Sequence, residues 1–155
     1  MKASSRNHPL GFADRTWKNL ESIETSYAQG VDVHMVTQLA NSLLGLVVFP
    51  QQRFFRRTPT RLLLKDLEAQ GWPSWSVAIG RMKSLDDLIR HLRNATAHGR
   101  LGFTSESRRL EEVSLVAEDV DPSTQKIVWK ATISGVDLRQ FCLLLTQLLR
   151  EAGSP

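Results

Sequence analysis

Three side chains within one short stretch have the types and spacing to act on a phosphate: Arg93, Asn94 and His98, in the run RNATAHG that ends at Gly99. A guanidinium presents a planar fork of donors that matches two anionic oxygens. An imidazole titrates near neutral pH and so can take up and release a proton under ordinary conditions. The asparagine amide can donate to one group and accept from another.

The element that must carry them is a helix. Leu85, Leu88, Ile89 and Leu92 recur at i, i+3, i+4 and i+7, the stripe of a one-sided helix. Ser84 suits the N-cap, Asp86 and Asp87 fall in the first turn, where the dipole favours negative charge, and Gly99 suits a left-handed closing residue. At about 100° per residue, Arg93 lies roughly 100° to one side of the stripe and His98 roughly 120° to the other, while Asn94 points away from it. None of the three belongs to the core stripe. Arg93 and His98 are then about 140° apart and about 7.5 Å apart along the axis, a poor arrangement for gripping one phosphate within one subunit. Two such helices paired about a two-fold axis would bring two arginines and two histidines together. Asn94 and His98, at i and i+4, share a face and can hydrogen-bond.

The rest of the chain reads as one mainly α domain. Residues 1–13 form a loosely ordered lead-in, and residues 14–152 the domain. A first helix runs from Asp14 to about Gln29. Asp32 caps a second, which carries Val33, Val36, Leu39, Leu43, Leu44 and Val47, is apolar nearly all round from Leu43 to Phe49, and is stopped by Pro50. A basic loop, QQRFFRRTPT, precedes a short helix over Thr60–Gln70. GWPSW breaks the chain, with Trp72 and Trp75 as loop anchors. Beyond Gly102 the period shortens to two: Val113, Leu115 and Ala117, then Ile127, Trp129, Ala131 and Ile133, are separated by turn residues from Asp121 to Thr124. This is a β-hairpin over 111–133 with nothing catalytic on it. Ser134 and Asp137 form a capping pair that opens a last helix ending near Glu151. The fold expected is a bundle of about five helices with a hairpin inserted before the C-terminal one.

Composition narrows the function. The 155 residues hold one cysteine, Cys142, in an apolar run, so no disulfide framework exists and a reducing, cytoplasmic setting fits. No apolar stretch is long enough for a membrane span, and the N-terminus lacks a signal-peptide core. Of the net charge of +4, residues 51–100 carry ten basic and four acidic side chains, against four and four before them and six and eight after. The positive charge therefore sits with Arg93 and His98, as a polyanion-facing surface requires. The arginines alternating with Phe54 and Phe55 in the basic loop could hold phosphates while the rings stack bases, or the rings could fill the core. The four histidines and one cysteine have no zinc-ligand spacing, and there is no Gly-rich phosphate loop. His34 reads as structural on the second helix and His91 as a solvated neighbour of His98.

The segment RNATAHG resembles the R-x(4–6)-H motif of HEPN domains, including a polar residue directly after the arginine. NSLLGLVVFPQQ, followed by RNATAHG about 50 residues on, resembles more narrowly the small plasmid- and mobile-element-encoded HEPN subgroup. The resemblance implies a helical bundle and a metal-independent endoribonuclease without cofactor, whose site is built from two copies of the motif. In it His98 acts as general acid/base, Arg93 holds the scissile phosphate, and Asn94 orients His98 or binds the phosphate. Arg100, Arg90, Arg53, Arg56 and Arg57 would then extend the RNA-binding surface. The partners implied are RNA, a second copy of the chain, and an antitoxin or defence-system protein, and the role that of a toxin or anti-phage effector. The position two residues after His98, where AMP-silenced HEPN toxins carry tyrosine, is Arg100, and the chain's one tyrosine is Tyr27. Two other readings fit the residues: a non-catalytic HEPN-like module that binds RNA or nucleotide or dimerises, and an unrelated helical interaction protein.

Overall fold

The computed structural model describes residues 8–48 and 61–152. Pro50 and the basic loop with Arg53, Phe54, Phe55, Arg56 and Arg57 lie outside the described residues, as does the start of the lead-in. Among the described residues are five α-helices and one four-stranded antiparallel sheet: α1 (His8–Ala28), α2 (Met35–Val48), α3 (Leu64–Ala69), β1 (Ser76–Ile79), α4 (Leu85–Ala97), β2 (Leu101–Phe103), β3 (Ser114–Val120), β4 (Ile127–Ser134) and α5 (Gly135–Ala152). The fold is mainly α.

Helices α1, α2 and α5 pack on one another, α2 also meets α4, and α4 lies on β3. The stripes read from periodicity are buried at Leu39, Leu43 and Val47 of α2 and at Leu85, Leu88, Ile89 and Leu92 of α4, joined in the core by Leu46 and by Leu138, Phe141, Leu145 and Leu149 of α5, while Leu44 is half-buried. Trp72 and Trp75 anchor their loop by meeting the Phe141 ring edge-on, with centroids 5.7 and 5.6 Å away. Asp14 pairs with Arg150, and Glu24 takes the Arg139 guanidinium in two hydrogen bonds, so both ends of α1 are tied to α5.

The sheet corrects the expectation of a lone hairpin. Its order is β1-β4-β3-β2, so the predicted β3–β4 hairpin is its centre and two short strands flank it. β1 and β2 are four and three residues long, too short to show a period. The face turned to the helices carries Leu115, Ala117, Trp129, Ala131 and Ile133, the residues the alternation picks out. Ile127, expected with them, is exposed. The register shifts between Asp119 and Val120, where Asp119 faces Trp129 and Val120 faces Ile127. Gly80 closes β1 at φ +81°; a Cβ there would stand 2.4 Å from the Val128 carbonyl, so the strand sits against β4 at a distance only glycine permits.

Several boundaries differ from expectation. α1 starts at His8 rather than Asp14. α2 starts at Met35, and Asp32 pairs with Arg108 instead of capping it. His34 therefore precedes α2 and is exposed rather than buried in it. α3 is only six residues long, because Leu63 pairs with Ser84 in an isolated antiparallel bridge that holds the preceding backbone extended.

Candidate functional site

The motif helix α4 is fixed at both ends by local chemistry. At its start Ser84 Oγ accepts from the Asp87 N–H at 3.1 Å, while Asp87 Oδ2 accepts from the backbone N–H groups of Ser84 and Lys83 at 3.2 and 3.0 Å. This is the capping box in full. The Lys83 N–H is the main cause holding the Asp87 carboxyl below its usual value, with the Ser84 bonds and Arg90 adding to it against partial desolvation. At the other end Gly99 adopts φ +62°, its N–H donates to the Thr96 carbonyl at 3.1 Å, and the Arg100 N–H donates to the Ala95 carbonyl at 2.8 Å. That pair of bonds is a Schellman closure and makes His98 the C-cap. The Arg100 carbonyl then accepts the Glu118 N–H at 3.1 Å, so the chain passes directly from the closed helix into β2 and its pairing with β3.

The last turn of α4 faces outward. Asn94, Ala97, His98, Gly99 and Arg100 are exposed and Arg93 is half-buried, as the wheel predicts for positions off the stripe. Neither the Arg93 guanidinium nor the His98 ring has a hydrogen-bond or ion-pair partner among the described residues. Of the other cations expected at the site, Arg90 is exposed and pairs with Asp87 at 3.4 Å on its own helix. Arg100 lies 3.6 Å from Glu118, which also takes Lys130 at 2.9 Å. Arg90 and Arg100 thus flank the motif, each with a carboxylate beside it. Among the described residues no group of three or more His, Cys, Asp and Glu side chains gathers as metal ligands do.

Asn94 is not idle, and its partner comes from the hairpin. Its Nδ2 donates to Asp119 Oδ2 at 3.0 Å. The same oxygen lies 2.7 Å from His91 Nδ1. A carboxylate can only accept, so Nδ1 carries the proton of that bond. His91 is buried, at 8% exposure, rather than solvated, and its ring stacks on the Trp129 indole at 4.7 Å between centroids and 4° between planes. Asp119 and Trp129 are cross-strand partners, so one pair on the hairpin holds the edge and the face of the same imidazole. The hairpin, expected to carry nothing catalytic, thus touches the motif through Asp119. Periodicity missed His91 because it lies outside the apolar stripe of α4; the sheet covers that flank of the helix as a second layer. A signal was present in Asp119, a carboxylate at an inward position of the alternating run that holds Leu115 and Ala117.

Among the described residues, no helix is long and apolar enough to cross a membrane. Comparison with curated proteins and with solved structures returned no match. The family model described as HEPN pEK499 p136 matches residues 1–155, a span that includes the Arg93–His98 helix. The chain belongs to this HEPN family.

Proposed function

We propose that this chain is a metal-independent endoribonuclease of HEPN type that works as a homodimer, with residues 14–152 as its single functional domain and a toxin or phage-defence effector as its role. The observation that carries the reading is the free, outward-facing pair Arg93 and His98 on a helix end locked by a Schellman closure. They diverge by about 140° around the helix, a poor arrangement for gripping one phosphate within one subunit. Two α4 helices facing each other supply a complete set.

In that composite site a ribose 2′-oxygen attacks the adjacent phosphorus as one His98 takes its proton. The bond to the leaving 5′-oxygen breaks, and that oxygen receives a proton from the second His98. The arginines hold the two non-bridging oxygens and the charge that grows on them in the five-coordinate state. Arg90 and Arg100 extend the positive surface along the RNA; Arg53, Arg56 and Arg57, which lie outside the described residues, are proposed as further phosphate contacts.

The test uses purified protein and a mixed RNA substrate in excess EDTA. Chelator-resistant cleavage should fall by at least about a hundredfold in His98→Ala and in Arg93→Ala. Mixing the two inactive variants and allowing subunits to exchange should restore part of the activity if each helix contributes half a site. RNA binding without cleavage, weakened by Arg93→Ala, would instead identify a non-catalytic RNA-binding module. No response of RNA to either substitution, or a strictly monomeric protein on a sizing column, would refute the composite site.

A further inference from the structure

We propose that Asp119 is a positioning residue that acts through Asn94 to set the tautomer of His98; the proposal rests on His98 being the proton-transfer group of the reading above. The Asp119 carboxylate can only accept, so the Asn94 amide must turn its nitrogen toward it, as the 3.0 Å contact records. That choice leaves the carbonyl Oδ1 as the end of the amide turned away from the sheet. His98 lies four residues on, on the same face of the helix and with a free ring. The His98 ring makes no hydrogen bond among the described residues; turned onto Oδ1, which offers only an acceptor, it would present an N–H there and keep its other ring nitrogen unprotonated, the state a general base needs.

Asp119 is equipped to impose this. It is 5% exposed, it is held by His91 through the same Oδ2, and His91 is clamped against Trp129. Its place beside the register shift in the hairpin aims a strand residue at the helix's polar flank. Without it the Asn94 amide is free to turn over and offer its NH2 group, which selects the opposite tautomer of His98.

The experiment reads the tautomer directly, without RNA. The ring nitrogens of His98 are followed by long-range proton–nitrogen correlation NMR on the full chain, at a pH where the ring is neutral, with His98→Gln providing the assignment. Asn94→Ala and Asp119→Ala should move the two nitrogen shifts by the same amount, and the double variant no further. Asp119→Asn should keep the wild-type pattern, because both bonds end on one oxygen and an amide carbonyl can occupy it. Asp119→Ser, whose hydroxyl is too short to reach Asn94, replaces the alanine variant if that one does not fold. Where cleavage is present, Asp119→Ala should lower kcat by up to about a hundredfold with KM little changed. A His98 pattern that moves in Asn94→Ala but not in Asp119→Ala or Asp119→Ser overturns the proposal, and so does one that moves in neither. A coupled His98 in a protein that leaves RNA intact would refute the ribonuclease and leave the positioning in place.

Discussion

Removing the Asp119 carboxylate tests how the motif helix is held to the sheet. Asp119→Ala deletes two charge-assisted hydrogen bonds, from His91 Nδ1 at 2.7 Å and Asn94 Nδ2 at 3.0 Å. Bonds of this kind contribute about 1.5–3 kcal/mol each. The two are unequal, because Asn94 is exposed and water can replace its acceptor, whereas His91 is buried against Trp129 and its donor would be orphaned. Counting the His91 bond in full and the Asn94 bond at its low end gives a loss of about 3–4.5 kcal/mol, within the range found when one partner of a buried pair is removed. Asp119→Asn should cost about 1–2 kcal/mol, because a carbonyl in the Oδ2 position accepts from both donors and only the charge is lost. Urea unfolding followed by circular dichroism separates them, and for a chain of this size the alanine variant should melt roughly 10 °C lower. A loss below about 1 kcal/mol in Asp119→Ala, or an asparagine variant no better than the alanine one, would show that the contact does not hold the helix and sheet together.

Four further outcomes follow from other parts of the fold. Gly80→Ala combines a positive φ with a Cβ driven to 2.4 Å from the Val128 carbonyl, and should destabilise by about 3 kcal/mol or more in chemical unfolding. Ser84→Ala removes the side-chain acceptor of the capping box and should cost about 1 kcal/mol by the same measurement. The Asp87 carboxyl is lowered in the folded chain, so its contribution is present above its unfolded value and fades as pH falls through the folded one; the acid limb of a stability profile should flatten in Asp87→Asn. Cys142 is fully buried and its thiol is pushed up to about 12, so a maleimide at mildly alkaline pH should label it only in denaturant or at the rate of unfolding.

The motif helix was legible in the sequence almost residue by residue, because a capping box, an apolar stripe and a closing glycine are local signals that agree with one another. The outward setting of Arg93, Asn94 and His98 followed from the same wheel. What could not be read was anything that depends on a second layer. His91 lies off the apolar stripe and so passes for a surface residue until the sheet is placed over it. Asp119 sits in an inward register that alternation reveals, but its partners are 28 and 25 residues away and no local pattern names them. β1 and β2 were missed for a related reason: strands of four and three residues acquire their identity from the neighbours they pair with. The late start of α3 is a boundary effect of the same kind, set by the Leu63–Ser84 bridge.

The position of α4 between the two outermost strands gives the spacing of its motif a fixed gauge. β1 ends just before the helix and β2 begins just after it, on opposite margins of one sheet. Thirteen helical residues span about 20 Å, and both ends of that span are tied down, by the Leu62–Leu85 bond at the start and the Arg100–Glu118 bond at the finish. Inserting or deleting one residue inside α4 would turn everything beyond it by about 100° and shift it by about 1.5 Å. Such a change would part either the Leu62–Leu85 bond at one end or the Arg100–Glu118 bond at the other. The four residues between Arg93 and His98 are therefore not a free variable that selection could lengthen or shorten by itself. They are set between two tied ends, and a change of motif length would have to arrive with a change in one of them.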